Sequence, residues 1–190
     1  MSDLASKGGP DSLDNHCLLM KNDTTQYECR ASVSSRSWSI WSVCIKPIFH
    51  IHAEVADIRH FGKTPYGDRR VIDIIGGRVD GPRLKGRILP GADWQIVCPD
   101  GTADLTARYG IETDTGARVL VRSDGLRHGP PDVLAALAPG EPVDPSRYYF
   151  RTVLRFEAAD PSVDWLNRII AIARGVRDKN AVRLDVFEVL

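Results

Sequence analysis

The chain has 190 residues, with 25 Lys plus Arg and 25 Asp plus Glu, so its formal net charge is zero at pH 7. This length suits one filled core with a tail, because domains usually run to about 100 to 200 residues. A neutral chain lacks the basic excess that binds a phosphate backbone, which argues against nucleic acid as a partner. The apolar fraction of 43% and the charged fraction of 26% are typical of globular proteins and argue against a membrane span.

The N-terminus and the cysteines indicate where the protein resides. The first residues lack the basic start, the apolar stretch of about 7 to 15 residues and the small-residue cleavage site of a secretory signal. Cys17, Cys29, Cys44 and Cys98 stand far apart, without a CxxC pair or a Cys/His cluster at zinc spacing. Reduced thiols are therefore expected. We predict a soluble, cytoplasmic protein.

Residues 1–45 differ in composition and in residue pattern from the rest of the chain. Their first part is rich in turn-forming and charged residues, and their last part interleaves serine with Trp38, Ile40 and Trp41. Because the first part cannot bury a core, we predict a disordered leader. An extra strand and a start codon assigned too far upstream are the alternatives. Residues 46–190 are predicted to form the folded domain.

The next segments have the pattern of strands. From Lys46 onward, short apolar runs are separated by Gly, Pro and Asp. The run IFHIHAEV at 48–55 alternates apolar and polar residues, as a half-buried strand does. In the following run, Gly76 and Gly77 interrupt β-branched residues, which predicts a bulge or a sharp bend. The sheet is therefore expected to curve.

The remainder predicts further hairpins and a single helix. RLKGRIL, a PGAD turn and DWQIV are followed by ADLTARYGIET and ARVLVRS, and three more strands end the chain. Only PPDVLAALAPG carries helix signals, with proline at its start and Gly140 after its end. We predict an all-β fold, an antiparallel up-and-down β-barrel of about eight strands with one short helix, and a sandwich as the alternative. A barrel of this size is either filled by side chains or just wide enough for one small ligand.

Five segments of the predicted barrel together resemble a known family. They are GDRR at 67–70, IIGGRVDGPRLKGRILPGADWQ at 74–95, DLTARYGIETDTGARVLVRSDGLRHGPP at 104–131, YYFRTVLRFE at 148–157 and WLNR at 165–168. Over about residues 46 to 190 the chain resembles domain of unknown function 3237, also called uncharacterised protein family 0311. This resemblance implies a small β-barrel domain without a generally established activity.

Charged residues on neighbouring strands are the first candidates for chemistry. If the charged strand faces line the lumen, the acid and base candidates are Asp93, Asp104 and Glu157, and the anion-binding candidates are Arg108, Arg122 and Arg151. Arginine holds a carboxylate or enolate with its planar fork, and a desolvated carboxylate has the raised pKa that proton transfer requires. The alternative is that the same charges form salt bridges on the solvent face of the sheet.

Aromatic residues are the second group of candidates. Trp94, Tyr149 and Trp165, with Asn167 beside the last, are predicted to contact a planar ligand, and core packing is the alternative. His50 and His52 share a strand face, but no third ligand accompanies them, so no metal site is predicted.

Sequence motifs narrow the functional prediction further. No GxSxG elbow, Walker loop, GxGxxG after a strand or HExxH motif occurs, so no cofactor is predicted. We predict a small-molecule-binding barrel, either a cofactor-independent isomerase, cyclase or lyase on a small aromatic or carbonyl compound, or a non-catalytic ligand-binding or interaction module. The predicted partner is a small hydrophobic or aromatic ligand, with neither nucleic acid nor membrane. A homodimer stays open.

Overall fold

The computed structural model describes residues 20–21, 27–28 and 43–190. The chain divides into two compact units, Met1–Cys44 and Ile45–Leu190. In the first unit, strands β1 (Met20–Lys21) and β2 (Tyr27–Glu28) pair antiparallel. The predictions of a disordered leader, of a strand around Trp38 and of a mis-assigned start fall on residues outside those described.

The second unit is a closed barrel of eight antiparallel strands. In chain order these are β3 (Ile45–Thr64), β4 (Gly67–Asp80), β5 (Gly86–Val97), β6 (Ala103–Thr113), β7 (Arg118–His128), β8 (Tyr149–Ala158), β9 (Ala171–Arg177) and β10 (Ala181–Val189). Each strand pairs with the next, and β10 pairs with β3 to close the barrel. Helix α1 (Pro131–Leu137) and 3-10 turns at Pro145–Arg147 and Asp164–Arg168 lie in the connections on either side of β8. The predicted fold class is confirmed.

Alternation along each strand explains why the barrel closes. In β8 the residues at 150, 152, 154 and 156 are buried, and those at 149, 151, 153 and 155 are exposed. The inward residues of all eight strands form one core, in which Ile111 and Leu154 are completely buried. Burying a side chain of this size contributes about 1.5 to 3 kcal/mol. Within the described residues, no helix is long and apolar enough to cross a bilayer.

A bulge in β4 bends the sheet at the predicted place. Gly76 pairs with Glu54 and Ile74 pairs with Val55, so Ile75 is the extra residue on its strand. Gly77, two residues after Ile75, has φ 125°. A Cβ on Gly77 would lie 2.0 Å from the carbonyl oxygen of His52, so that a side chain there would collide with β3.

The predicted PGAD turn is wrong, because β5 runs through it as one strand. The register of β5 against β6 shifts between Leu89 and Ala92. Gly91 permits this bulge, since a Cβ there would lie 2.2 Å from the carbonyl oxygen of Arg108. The extra residues change the inward phase of β5: Ile88 is buried before the bulge, and Asp93 lines the lumen after it.

Candidate functional site in the barrel lumen

The barrel encloses a cavity of about 50 Å³, which we call the lumen cavity. Most of its wall is aliphatic, from residues such as Ile51, Val55 and Ile74. The polar part of the lining includes Asp93, Gln95, Tyr109, Arg127, Thr152 and Arg177. The cavity has room for roughly three to five water molecules, because one water needs about 10 to 15 Å³ of such space. The lumen cavity is therefore small, and polar groups form part of its wall.

Asp93 is a carboxyl group among apolar neighbours. On its own strand it follows the β5 bulge, and it pairs with Ile72 of β4 and Ala107 of β6. Burial raises the pKa of Asp93 above its ordinary value. The hydrogen bond from Gln95 and the positive charge of Arg127 act in the opposite direction without cancelling the effect of burial.

A chain of hydrogen bonds fixes one side of this carboxyl group. Arg70 Nε donates to Gln95 Oε1 at 2.8 Å, and Gln95 Nε2 donates to Asp93 Oδ2 at 2.6 Å. Gln95 is 2% exposed, so its amide has little freedom to turn away. The chain holds Oδ2 in place and leaves Oδ1 available for another partner.

Three buried polar atoms of the cavity lining make no hydrogen bond with the part of the chain that the structure describes. They are Asp93 Oδ1, Tyr109 Oη and Thr152 Oγ1. Burial and the negative charge of Asp93 raise the pKa of Tyr109, so its hydroxyl stays protonated and can donate. Leaving a buried polar group without a partner costs about 1 to 3 kcal/mol. Each of these three groups would gain a hydrogen bond from water or from another polar molecule in the cavity.

Two arginines also line the lumen cavity. Arg127 lies on β7 and Arg177 ends β9, and Arg177 is 8% exposed. Burial and the charges of Arg70 and Arg177 lower the pKa of Arg127 to about 10. Arg127 therefore keeps its positive charge at neutral pH. The lumen thus contains guanidinium groups near a single carboxyl group.

Among the predicted acid and base candidates, only Asp93 lies in the lumen. Asp104 and Glu157 are exposed on the outer face. Their neighbours Leu105 and Phe156 are buried, and alternation places adjacent residues on opposite faces. The prediction that Asp104 and Glu157 line the lumen is wrong, because the apolar phase of each strand fills the interior.

The predicted anion-binding arginines also lie outside the lumen. Arg108 donates to Asp124 Oδ1 at 3.0 Å, and Arg122 donates to Asp124 Oδ2 at 2.7 Å. Arg151 is exposed, with its guanidinium carbon 5.1 Å from the ring centre of Tyr149. Arg108–Asp124 is a salt bridge between β6 and β7, and Arg122–Asp124 is a salt bridge within β7. For both arginines the alternative interpretation, salt bridges on the solvent face of the sheet, describes the structure.

The predicted aromatic contacts do not line the lumen cavity either. Trp94 is 42% exposed and Tyr149 is 44% exposed, on the outer phase of their strands. Tyr149 stacks on His128 with ring centres 4.9 Å apart. Trp165 packs partly buried against the core, under the guanidinium group of Arg83 at 3.8 Å. The alternative of core packing describes Trp165, whereas Trp94 and Tyr149 belong to the surface.

Asn167 has a structural role that its predicted ligand contact did not include. Its Oδ1 accepts from Ala158 N and its Nδ2 donates to Ala158 O, both at 2.8 Å. The amide therefore fastens the 3-10 turn to the end of β8.

We expect Asn167→Ala to lower the free energy of unfolding by about 1 kcal/mol, because it removes two exposed hydrogen bonds. For a domain of this size that corresponds to a fall of about 2 to 4 °C in Tm. Thermal unfolding followed by circular dichroism measures it. Glu157→Gln, at the same end of β8, is the control. Equal Tm values for the two variants would contradict the role given to Asn167.

The sequence prediction missed Gln95, Tyr109, Arg127 and Arg177. For Tyr109, Arg127 and Arg177 the signal is strand phase, because each continues the apolar phase of its strand, whereas the β5 bulge changes the phase before Gln95. Arg127 is in phase with buried Val119 and Val121, and Arg177 is in phase with buried Ala171 and Ala173. Polar residues in the inward phase, rather than faces that are charged throughout, mark a barrel interior.

The predicted histidine pair lies on the outer face of β3. His50 Nδ1 lies 2.7 Å from Asp185 Oδ1. Within the described ranges, no group of three His, Cys, Asp or Glu residues is placed to hold a metal ion.

Comparisons with known proteins identify the family of this barrel. The family model described as "Protein of unknown function (DUF3237)" matches residues 43–189. A UPF0311 protein of Rhodopseudomonas palustris is 43% identical over 146 residues, which are 76% of this chain and 95% of that protein.

Solved structures have the same architecture. The crystal structure of a beta-barrel-like protein from Acinetobacter baumannii matches with a TM-score of 0.71 and 37% identity, covering 81% of this chain and all of that chain. The crystal structure of an enzyme from Penicillium herquei matches with a TM-score of 0.60 and 18% identity, covering 83% of this chain and 100% of that chain. At this identity the match shows a similarity of fold alone. The family match and the identity to the Rhodopseudomonas protein show that this chain belongs to the DUF3237 family, also called UPF0311.

Proposed function

We propose that the barrel is a small-molecule enzyme that transfers a proton to or from a carbonyl compound in the lumen cavity, without a cofactor. Asp93 is the acid or base, and Tyr109 and Thr152 supply hydrogen bonds to the substrate. An isomerase, cyclase or lyase reaction requires such a proton transfer.

The observation that carries this proposal is the set of three unpartnered polar atoms around one enclosed cavity. A carbonyl or hydroxyl group of a guest would accept from the Tyr109 hydroxyl and contact Asp93 Oδ1. The aliphatic wall excludes water, which strengthens these polar interactions. A site of this composition suits a ligand that is mostly apolar with one or two polar atoms.

The environment of Asp93 favours proton transfer over simple binding. Burial raises its pKa above the ordinary value of an aspartate, which is the direction that a general acid requires. The Arg70–Gln95 chain fixes Oδ2, so the reacting oxygen is the unpartnered Oδ1. Positioning a carboxyl group in this way contributes typically 10² to 10⁴-fold in rate.

Ligand screening followed by product analysis tests the proposal. The full-length protein is incubated with a library of small aromatic and carbonyl compounds, and compounds that raise Tm are examined for conversion by mass spectrometry. We expect conversion that falls at least about 100-fold in Asp93→Asn. Asp104→Asn, which changes an exposed carboxyl group on the neighbouring strand, is the control and should retain the rate.

Two outcomes would contradict the enzyme proposal. Stabilisation without conversion would favour the non-catalytic binding module. Conversion that Asp93→Asn leaves intact would place the chemistry elsewhere. Tyr109→Phe separates binding from chemistry, because it removes the hydroxyl that would donate a hydrogen bond to the substrate and retains the aromatic ring in the core.

A further inference from the structure

A second pocket lies where α1 covers one end of the barrel. It has a volume of about 270 Å³, and we call it the α1 pocket. Helix α1 packs on the core through Val133 and Leu137, both buried. Arg127, Arg177 and Ile72 line both the α1 pocket and the lumen cavity. The two spaces are therefore neighbours, with two arginines at their boundary.

Three arginines surround the α1 pocket: Arg70, Arg127 and Arg177. Burial lowers the pKa of each of them, and mutual repulsion contributes for Arg127 and Arg177. Burying several positive charges close to one another costs free energy unless an anion binds between them.

The negative charges that act on this cluster include those of Asp68, Asp93 and Asp178. None of the ion pairs between side chains of residues 43–190 includes Arg70, Arg127 or Arg177. Asp178, the acidic residue next to Arg177, binds Arg183 at 2.7 Å. Asp93 contacts the cluster through Gln95, and burial favours its neutral form. The linings of the two pockets thus bring three guanidinium groups together with one carboxyl group, that of Asp93, so positive charge is in excess there.

The rest of the α1 pocket is apolar. Its other lining residues include Ile58, Val97, Leu134 and Leu137. A phosphate group, which is strongly hydrated on all sides, would meet aliphatic carbon there. A carboxylate attached to an apolar or aromatic body would place its charge on the guanidinium groups and its body on the aliphatic side chains.

We propose that the α1 pocket binds the carboxylate of an apolar or aromatic organic acid through Arg70, Arg127 and Arg177, and that the opposite end of this acid enters the lumen cavity. The binding of the carboxylate does not depend on the proposed function, whereas the placement of the reacting end of the acid beside Asp93 rests on it. The substrate class would then be small organic acids with a carbonyl or hydroxyl group remote from the carboxylate.

Equilibrium binding of sodium benzoate to the full-length protein tests the inference without turnover. The dissociation constant is obtained from Tm against concentration at constant ionic strength, since a ligand that binds only the native state raises Tm. Benzamide is the uncharged counterpart, and inorganic phosphate is the second anion. We expect benzoate to bind at least about tenfold more tightly than either.

Variants on the same strands provide matched controls. Arg127→Gln and Arg177→Gln are expected to weaken benzoate about 10- to 100-fold, because each removes charged hydrogen bonds to the carboxylate. Arg122→Gln on β7 and Arg174→Gln on β9 change exposed arginines and should retain the affinity of the unaltered protein. If Arg127→Gln or Arg177→Gln does not fold, the unaltered protein is modified with phenylglyoxal, which reacts with arginine, and the modified positions are found by peptide mapping. Benzoate should then protect Arg127 and Arg177 from modification, and not Arg122 and Arg174.

Several results would overturn the inference. They are equal binding of benzoate and benzamide, tighter binding of phosphate through the same arginines, and absence of protection at Arg127 and Arg177. Failure of the proposed function has a different signature. Arginine-dependent benzoate binding without any Asp93-dependent conversion would refute the enzyme and leave the carboxylate site. Asp93-dependent conversion with benzoate bound no better than benzamide would refute the carboxylate site alone.

Discussion

Asp93→Asn is expected to unfold at a higher temperature than the unaltered protein at pH 8 and at nearly the same temperature at pH 3. Burial raises the pKa of the native Asp93 carboxyl above its ordinary value of 3.8. The native state therefore holds this proton to higher pH than the unfolded state does. Stability falls as pH rises from about 4 through the native pKa, and the loss persists above it. Asparagine cannot ionise and avoids this loss.

The comparison needs Tm at a series of pH values between 3 and 8. We expect a gain of at least about 2 °C at pH 8, which is roughly 1 kcal/mol for a domain of this size. Asp104→Asn removes an exposed carboxylate from the neighbouring strand and should change Tm by less than about 1 °C throughout. A gain that is the same at pH 3 and pH 8 would show that ionisation of Asp93 is not its cause. Together with lost conversion, the expected gain would mark Asp93 as a residue retained for function at the expense of stability.

Gly77→Ala is expected to have the largest effect on folding, with a loss of at least about 3 kcal/mol. The alanine methyl group would lie 2.0 Å from the carbonyl oxygen of His52, so β3 and β4 would have to separate. In addition, φ 125° at this position is a conformation that residues with a side chain rarely adopt. Denaturant unfolding followed by tryptophan fluorescence gives the free energy.

Gly62→Ala separates these two causes. Gly62 lies on β3 with φ 86°, and a Cβ there would have no other atom within 4 Å. It should cost only the conformational penalty, about 1 to 2 kcal/mol. If the two variants lost equal stability, the backbone conformation alone would account for the effect, and the close approach of β3 to β4 would not be needed.

The alternation and turn signals of the sequence were sufficient to predict the barrel. Each strand has a period of two, and the glycine pair at 76–77 marks a bulge as expected. The PGAD segment shows where local signals fail. Proline and glycine favour a turn in isolation, but pairing of β5 with both β4 and β6 keeps the chain extended, and Gly91 fits this pairing as a bulge.

The candidate site was harder to predict, because the strand faces that carry several charged residues were taken as the faces that line the lumen. Faces charged throughout, such as that of Asp104 and Arg108, belong outside, where solvent and partner charges stabilise them. On β6 and β7 the interior takes polar residues singly, among apolar ones in the same phase, as Tyr109 and Arg127 show. Asp93 lies inside because the β5 bulge changes the phase, and a bulge of this kind is defined by tertiary pairing.

The backbone pairing between β8 and β9 is shorter than the pairing between β7 and β8, so the barrel wall is not built in the same way all around. Strands β8 and β9 pair only from Arg151–Arg174 to Leu154–Ala171, whereas β7 pairs along the whole of β8. Beyond the paired stretch the wall is completed by side chains: the Phe150 ring covers Gly175, and Tyr148 Oη accepts from Arg177 N at 3.0 Å.

Phe150 also lines the lumen cavity. Beside Arg177, the wall of the cavity therefore includes the side chain of one aromatic residue next to the short β8–β9 ladder. If the proposed substrate binds in the lumen cavity, substitutions at position 150 would change the size of that cavity without removing a strand pairing, and would thereby change which molecules related barrels accept.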